Sequence, residues 1–189
     1  MSPAEATSTP LTAGESPRAL DRGGHLPLES VRRVRDLTGT AVPTKYVEQL
    51  NGSVATYAEG CRWLALYFFS QIEDNPDRSG VFHRAFSRQH RDLAEAGVAV
   101  AGVCSDPPGA LGDTVFANGL VYPLLADERL LFAAGLGLPT FSDGARQHYE
   151  HLALLTTVPH PGVIGKVFYP LHDLGAVPRQ ILAWCALNP

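Results

Sequence analysis

Two uninterrupted apolar runs, WLALYFF over 63–69 and VAVAGV over 98–103, most narrow what this chain can fold into. Each is strand-sized, and neither alternates with polar residues, which is the pattern of strands covered on both faces. The stretch between them, about 80–96, is amphipathic and helical in period. Strand, helix, strand in this order predicts an α/β fold with a central mixed sheet flanked by helices. The alternation continues with a helix over 110–118, a short strand within VYPLLAD and a helix over 128–135. Strands over 152–157 and 163–169, joined by the turn Pro159-His160-Pro161-Gly162, and an amphipathic helix over 177–186 close the chain. Ahead of the first run, alternating apolar residues around Asn51-Gly52 predict an opening hairpin, because Asn-Gly suits a two-residue turn. Residues 1–25, rich in Pro, Ser, Thr, Ala and Gly without apolar periodicity, are expected to be disordered, leaving 26–189 as one domain.

Composition excludes several functions. The 189 residues carry a net charge of −4, with no basic footprint for nucleic acid or an anionic membrane. The apolar runs are too short to span a bilayer, and the first residues lack the apolar stretch of a secretory signal, so the cytoplasm is the expected location. Three cysteines, Cys61, Cys104 and Cys185, are widely spaced, with no C-x-x-C pair or zinc-ligand spacing. They read as small buried hydrophobes in a reducing compartment.

The strand WLALYFF, the passage AFSRQHRDLAEAGVAVAGVCSDPP, the segment YPLLADERLLFAAGLGLPTF and the closing VIGKVFYPLHD with ILAW occur in a fixed order and spacing. Together they resemble the peroxiredoxins, the alkyl hydroperoxide reductase and thiol-specific antioxidant type of the thioredoxin-like fold. The resemblance covers the chain from about residue 37 onward. It implies a helix whose first turn holds a peroxide-reducing cysteine, set in a motif of Pro, three residues, Thr, two residues, Cys. Here Ser79 falls at the cysteine position and Pro76 at the threonine position. Phe82 stands where the family has Glu or Gln, and His151 where it has an arginine at the start of the closing hairpin. A serine alcohol cannot form a sulfenic acid, and no cysteine lies between Cys61 and Cys104, so the resemblance implies a member without peroxidase chemistry. The family's dimer contacts also make a homodimer an expectation.

The altered positions define a candidate site for a small-molecule substrate. His151 puts a titratable base where the family has a permanent cation. Strand alternation places Tyr149 on the face of His151, and counting across the turn places Tyr169 opposite, which makes an acid–base cluster of Tyr149, His151 and Tyr169. Ser79 and His83 stand four apart on the helix, a spacing that lets them meet, although no third orienting group is identifiable. The bland alternatives are a solvated helix residue for His83 and a structural histidine for His151. Glu73, Asp74, Pro76, Gly80, Phe82 and Phe69 are the expected substrate contacts. Arg84, Arg88 and Arg91 read as a solvated helix face. His148, His151 and His172 are a poor metal set, because residues three apart on a strand face opposite ways; neither a metal nor a cofactor is expected.

Three functions follow. The first is a repurposed, cofactor-independent lyase, isomerase or cyclase acting on a small organic metabolite, in specialised-metabolite biosynthesis. The second is an atypical thiol oxidoreductase using Cys104, Cys61 or Cys185. The third is a non-catalytic binding protein. Replacement of arginine by a titratable group favours the first.

Overall fold

A computed structural model of the chain describes residues 28–42, 58–71, 77–158 and 162–188. In chain order these form α1 (Leu28–Arg35), β1 (Trp63–Phe68), α2 (Asp77–Glu95), β2 (Val98–Cys104), α3 (Pro108–Asn118), β3 (Leu124–Ala126) and α4 (Leu131–Leu136). There follow β4 (Thr140–Ser142), β5 (Gln147–Tyr149), β6 (Leu152–Thr157), β7 (Ile164–Phe168), a 3-10 turn at Leu174–Ala176 and α5 (Val177–Leu187).

The main sheet has the order β3-β2-β1-β6-β7. β1, β2 and β3 run parallel, while β6 and β7 are added antiparallel. The two apolar runs are therefore neighbouring strands, and β1 lies at the centre. Its side chains alternate between two cores. Leu64, Leu66 and Phe68 pack on one side with Ala99, Val103, Leu154, Val34 of α1 and Phe132 of α4. Trp63, Ala65, Tyr67 and Phe69 pack on the other with Phe82, Phe86 and Leu93 of α2 and with Val177 and Ile181 of α5. Both faces need apolar side chains, which is why the run does not alternate. Complete burial of Phe82 and Phe86 is worth about 1.5–3 kcal/mol for each side chain, enough to hold a helix whose other face is charged.

The mixed sheet with flanking helices is the expected fold class, with differences in detail. α1 and the two-stranded β4–β5 sheet were not anticipated. The 128–135 helix begins three residues late. Asp127 accepts the amides of Leu131 and Phe132, fixing the first turn there, and Leu130 ahead of it takes a left-handed backbone (φ 51°). The expected hairpin around Asn51-Gly52, the tail over 1–25 and the turn residues 159–161 lie outside the described residues. Ala41 nevertheless pairs with Val163, so the chain ahead of β1 does reach the β7 end of the sheet.

Candidate active site

α2 follows β1 and connects it to its parallel neighbour β2, which brings the first turn of α2 to the carboxyl end of β1. That turn carries Ser79, half-buried, and Gly80. A Cβ on Gly80 would meet the Arg84 guanidinium at 2.9 Å, so Arg84 folds back over the turn. One turn further, His83 is only 1% exposed. It is not the solvated helix residue of the bland reading.

The hydrogen bonds around His83 fix its tautomer. Tyr122 Oη donates to the His83 carbonyl at 3.1 Å, which uses the Tyr122 proton. Tyr67 Oη therefore donates in its 3.3 Å contact with Tyr122 Oη. Having spent its own proton, Tyr67 accepts from His83 Nδ1 at 2.8 Å. The proton sits on Nδ1, and Nε2 carries the lone pair. Nε2 has no hydrogen-bond partner among the described residues. Burial, reinforced by His151 and then Arg84, lowers the imidazole to about 4, so it is neutral at physiological pH. Burial likewise raises the Tyr67 phenol, with Tyr122 adding to the effect.

Tyr67 reaches His83 because its neighbour on β2 is Gly102. The two are register partners, and a Cβ there would lie 2.8 Å from the Tyr67 hydroxyl and 2.5 Å from Leu124. Phe69 packs edge-on against His83 with ring centroids 4.6 Å apart, and Phe82 stands between Tyr67 and His151, at 4.8 and 5.8 Å. Ser79, Gly80, Phe82, His83, Phe69 and His151 thus gather around the start of α2. The loop residues Glu73, Asp74 and Pro76 lie outside the described residues.

The tyrosines do not join them. Tyr149 lies in the core on the other side of the sheet, where its hydroxyl donates to Asp127 at 2.5 Å. Burial, with Asp127 next, raises its phenol. Tyr169 packs in that same core and donates to Glu150 at 2.6 Å. The alternation argument failed because β5 ends at Tyr149 and β6 begins at Leu152, with the chain turning at Glu150, whose amide bonds to Pro139. The Tyr149–His151–Tyr169 cluster is not formed. The residues that sequence reasoning missed are Tyr67 and Tyr122. Gly102, a glycine inside a buried apolar strand, was the available signal for Tyr67, because it marks a close approach.

Cys104 is buried, and its thiol is raised first by burial and then by Asp106. Cys185 is also raised by burial, and all three cysteines are free. Among the described residues no three His, Cys, Asp or Glu could hold a metal ion, and no helix is long and apolar enough to cross a membrane. Phe82 packs between α2 and His151. A groove of about 490 Å³ lies on the outer flank of α2, lined by Val81, Arg84, Arg88, Asp173 and Arg179 among others.

A parallel β1-β2-β3 core extended by antiparallel β6 and β7, with helices on both faces, is the thioredoxin-like fold. Within it, the arrangement is similar to that of solved peroxiredoxins. A cysteine-to-serine variant of PrxQ from Xylella fastidiosa matches with a TM-score of 0.62 at 16% identity, over 80% of this chain and 96% of that one. Reduced Prx3 of Vibrio vulnificus in complex with H2O2 matches with 0.60 at 16%, over 78% and 97%. Peroxidoxin BcpB from Mycobacterium tuberculosis matches with 0.59 at 15%, over 72% and 85%. No protein-family model and no curated protein sequence matches the chain.

Proposed function

We propose that this chain is a peroxiredoxin-fold enzyme that moves protons on a small organic metabolite instead of reducing peroxides, working without a cofactor as a lyase, isomerase or cyclase in a biosynthetic pathway. The observation that carries the reading is His83. It is a neutral imidazole oriented by Tyr67, with a lone pair on Nε2, one helical turn from Ser79 and close enough to His151 to feel its charge. A base that is unprotonated at neutral pH suits proton abstraction, and the helix amides beside Ser79 suit the anion that abstraction creates. His151 supplies the second proton-transfer group. The arginines of the outer groove favour an anionic metabolite, and Arg84, lying over Gly80, links that groove to the first turn of α2. Cys104 and Cys185 weigh against thiol chemistry, because burial holds each thiol above its ordinary value and little thiolate forms.

The test is untargeted mass spectrometry of metabolite extracts incubated in D2O with the wild-type chain, His83→Gln or His151→Gln. A metabolite transformed or deuterated by the wild type, with a rate about a hundredfold lower in each variant, is the expected result. Rapid peroxide consumption that depends on a cysteine would overturn the reading.

A further inference from the structure

A second chain of polar groups, unconnected with His83, sits at the carboxyl end of β2. Ser105 Oγ lies 3.1 Å from His148 Nδ1, and His148 Nε2 lies 3.3 Å from Asp143 Oδ2. Ser105 comes from the turn between β2 and α3. His148 comes from β5, and Asp143 from the turn that joins β4 to β5. The parts therefore come from segments some forty residues apart in sequence, and the fold brings them together.

The proton positions follow from the acceptor. A carboxylate only accepts, so His148 Nε2 carries the proton that faces Asp143, and the Nδ1 lone pair faces the Ser105 hydroxyl. Asp143 is itself held in place, its Oδ1 accepting the amides of Ala145 and Arg146, both at 2.8 Å. His148 is 1% exposed and Ser105 7%, so the imidazole is shielded and the serine residue keeps a narrow exposure. A carboxylate that fixes the tautomer of a buried imidazole, whose other nitrogen takes the proton of a serine, is the arrangement that activates serine as a nucleophile. Which ring nitrogen plays which part does not change the proton logic.

The surroundings suit the chemistry. Ser105 stands at the carboxyl ends of parallel strands, where open α/β sheets bind their ligands. α3 begins three residues later behind Pro107, which offers no side-chain cap, and Pro108, which has no amide hydrogen. The amide of Gly109 is then the first free donor of the helix, and a Cβ on Gly109 would meet nothing within 4 Å, so there is open space beside it.

We propose that Ser105, His148 and Asp143 form an acyl-transfer site that hydrolyses esters with a compact acyl group. Ser105 Oγ bonds to the ester carbonyl carbon while its proton passes to His148 Nδ1. The carbon–oxygen bond to the alcohol then breaks, and the alcohol leaves with that proton. Water attacks the acyl-serine, gives a proton to His148, and the carboxylic acid departs as Ser105 regains it. The narrow exposure of Ser105 sets the size limit on the acyl group. This activity is independent of the proton-transfer reading above.

The test treats the full chain with a biotinylated fluorophosphonate, which exchanges its fluoride for an activated serine oxygen, and follows hydrolysis of para-nitrophenyl acetate. One phosphonyl group is expected on the peptide that contains Ser105, with none in Ser105→Ala. Labelling and hydrolysis should fall about a hundredfold in His148→Gln and about tenfold in Asp143→Asn, whose surface position leaves the fold intact. No label on the wild type, label on the Ser79 peptide, or equal labelling of wild type and Asp143→Asn would each overturn the proposal.

Discussion

Mild acid should destabilise this protein through a single imidazole. His83 titrates at about 4 in the folded chain, mainly because it is buried, with His151 and Arg84 adding repulsion. Unfolded, it returns to about 6.5. Between those values the unfolded state binds more protons than the folded one, so stability is fully present above about pH 6.5 and is lost as the pH falls towards 4. The full displacement corresponds to about 3 kcal/mol, of which about 2 kcal/mol is lost by pH 5. Against a typical domain stability of about 5–15 kcal/mol, that is a measurable share. Urea denaturation at neutral pH and near pH 5, on the wild type and on His83→Gln, isolates the contribution, since the variant has no group to titrate there. The wild type should lose about 2 kcal/mol more than the variant over this interval. Nuclear magnetic resonance of the ring nitrogens, with the His83 signal assigned by its absence from the variant, should show Nδ1 protonated and Nε2 bare down to about pH 5. A midpoint near 6.5, or parallel losses in both proteins, would refute the burial argument, and a proton found on Nε2 in place of Nδ1 would refute the tautomer.

Gly102→Ala should destabilise the fold by about 1–3 kcal/mol in chemical denaturation, because the added methyl overlaps Tyr67 and Leu124. Tyr149→Phe removes the hydroxyl that donates to buried Asp127 and should cost about 1–3 kcal/mol, read as a lower urea midpoint with an unchanged slope. Purified protein should consume hydrogen peroxide no faster than buffer when supplied with a thiol reductant, and native Cys104 should react with a thiol reagent only as fast as the chain unfolds.

What the sequence made legible follows from where one pattern has one explanation. The runs around Leu66 and Val100 are uninterrupted because both faces of β1 and β2 are covered. The amphipathic period over about 80–96 placed α2, which runs over Asp77–Glu95. The site was harder because its contacts are long-range. Ser79 and His83 share a helix face by arithmetic alone, but the partner of His83 is Tyr67, sixteen residues earlier on a strand, where an apolar run hides one polar hydroxyl. The placement of Tyr149 failed for a different reason: period-two counting assumes an unbroken strand, and Glu150 turns the chain between β5 and β6. Asp127 likewise gave no sign that it would both set the start of α4 and anchor Tyr149.

The strand order also carries a cost in time. β1 is the centre of the sheet, yet one of its two edges is completed by β6, with Trp63 opposite Thr157 and Phe68 opposite Leu152, about 90 residues later in the chain. At about 5–20 residues per second, a ribosome leaves that edge open for about 5–20 seconds after WLALYF has been made. During that interval, six consecutive apolar residues present an unpaired backbone edge, the kind of segment that recruits another strand from a neighbouring chain. The nascent protein is thus most vulnerable to aggregation before its last third has been synthesised, however stable the finished sheet.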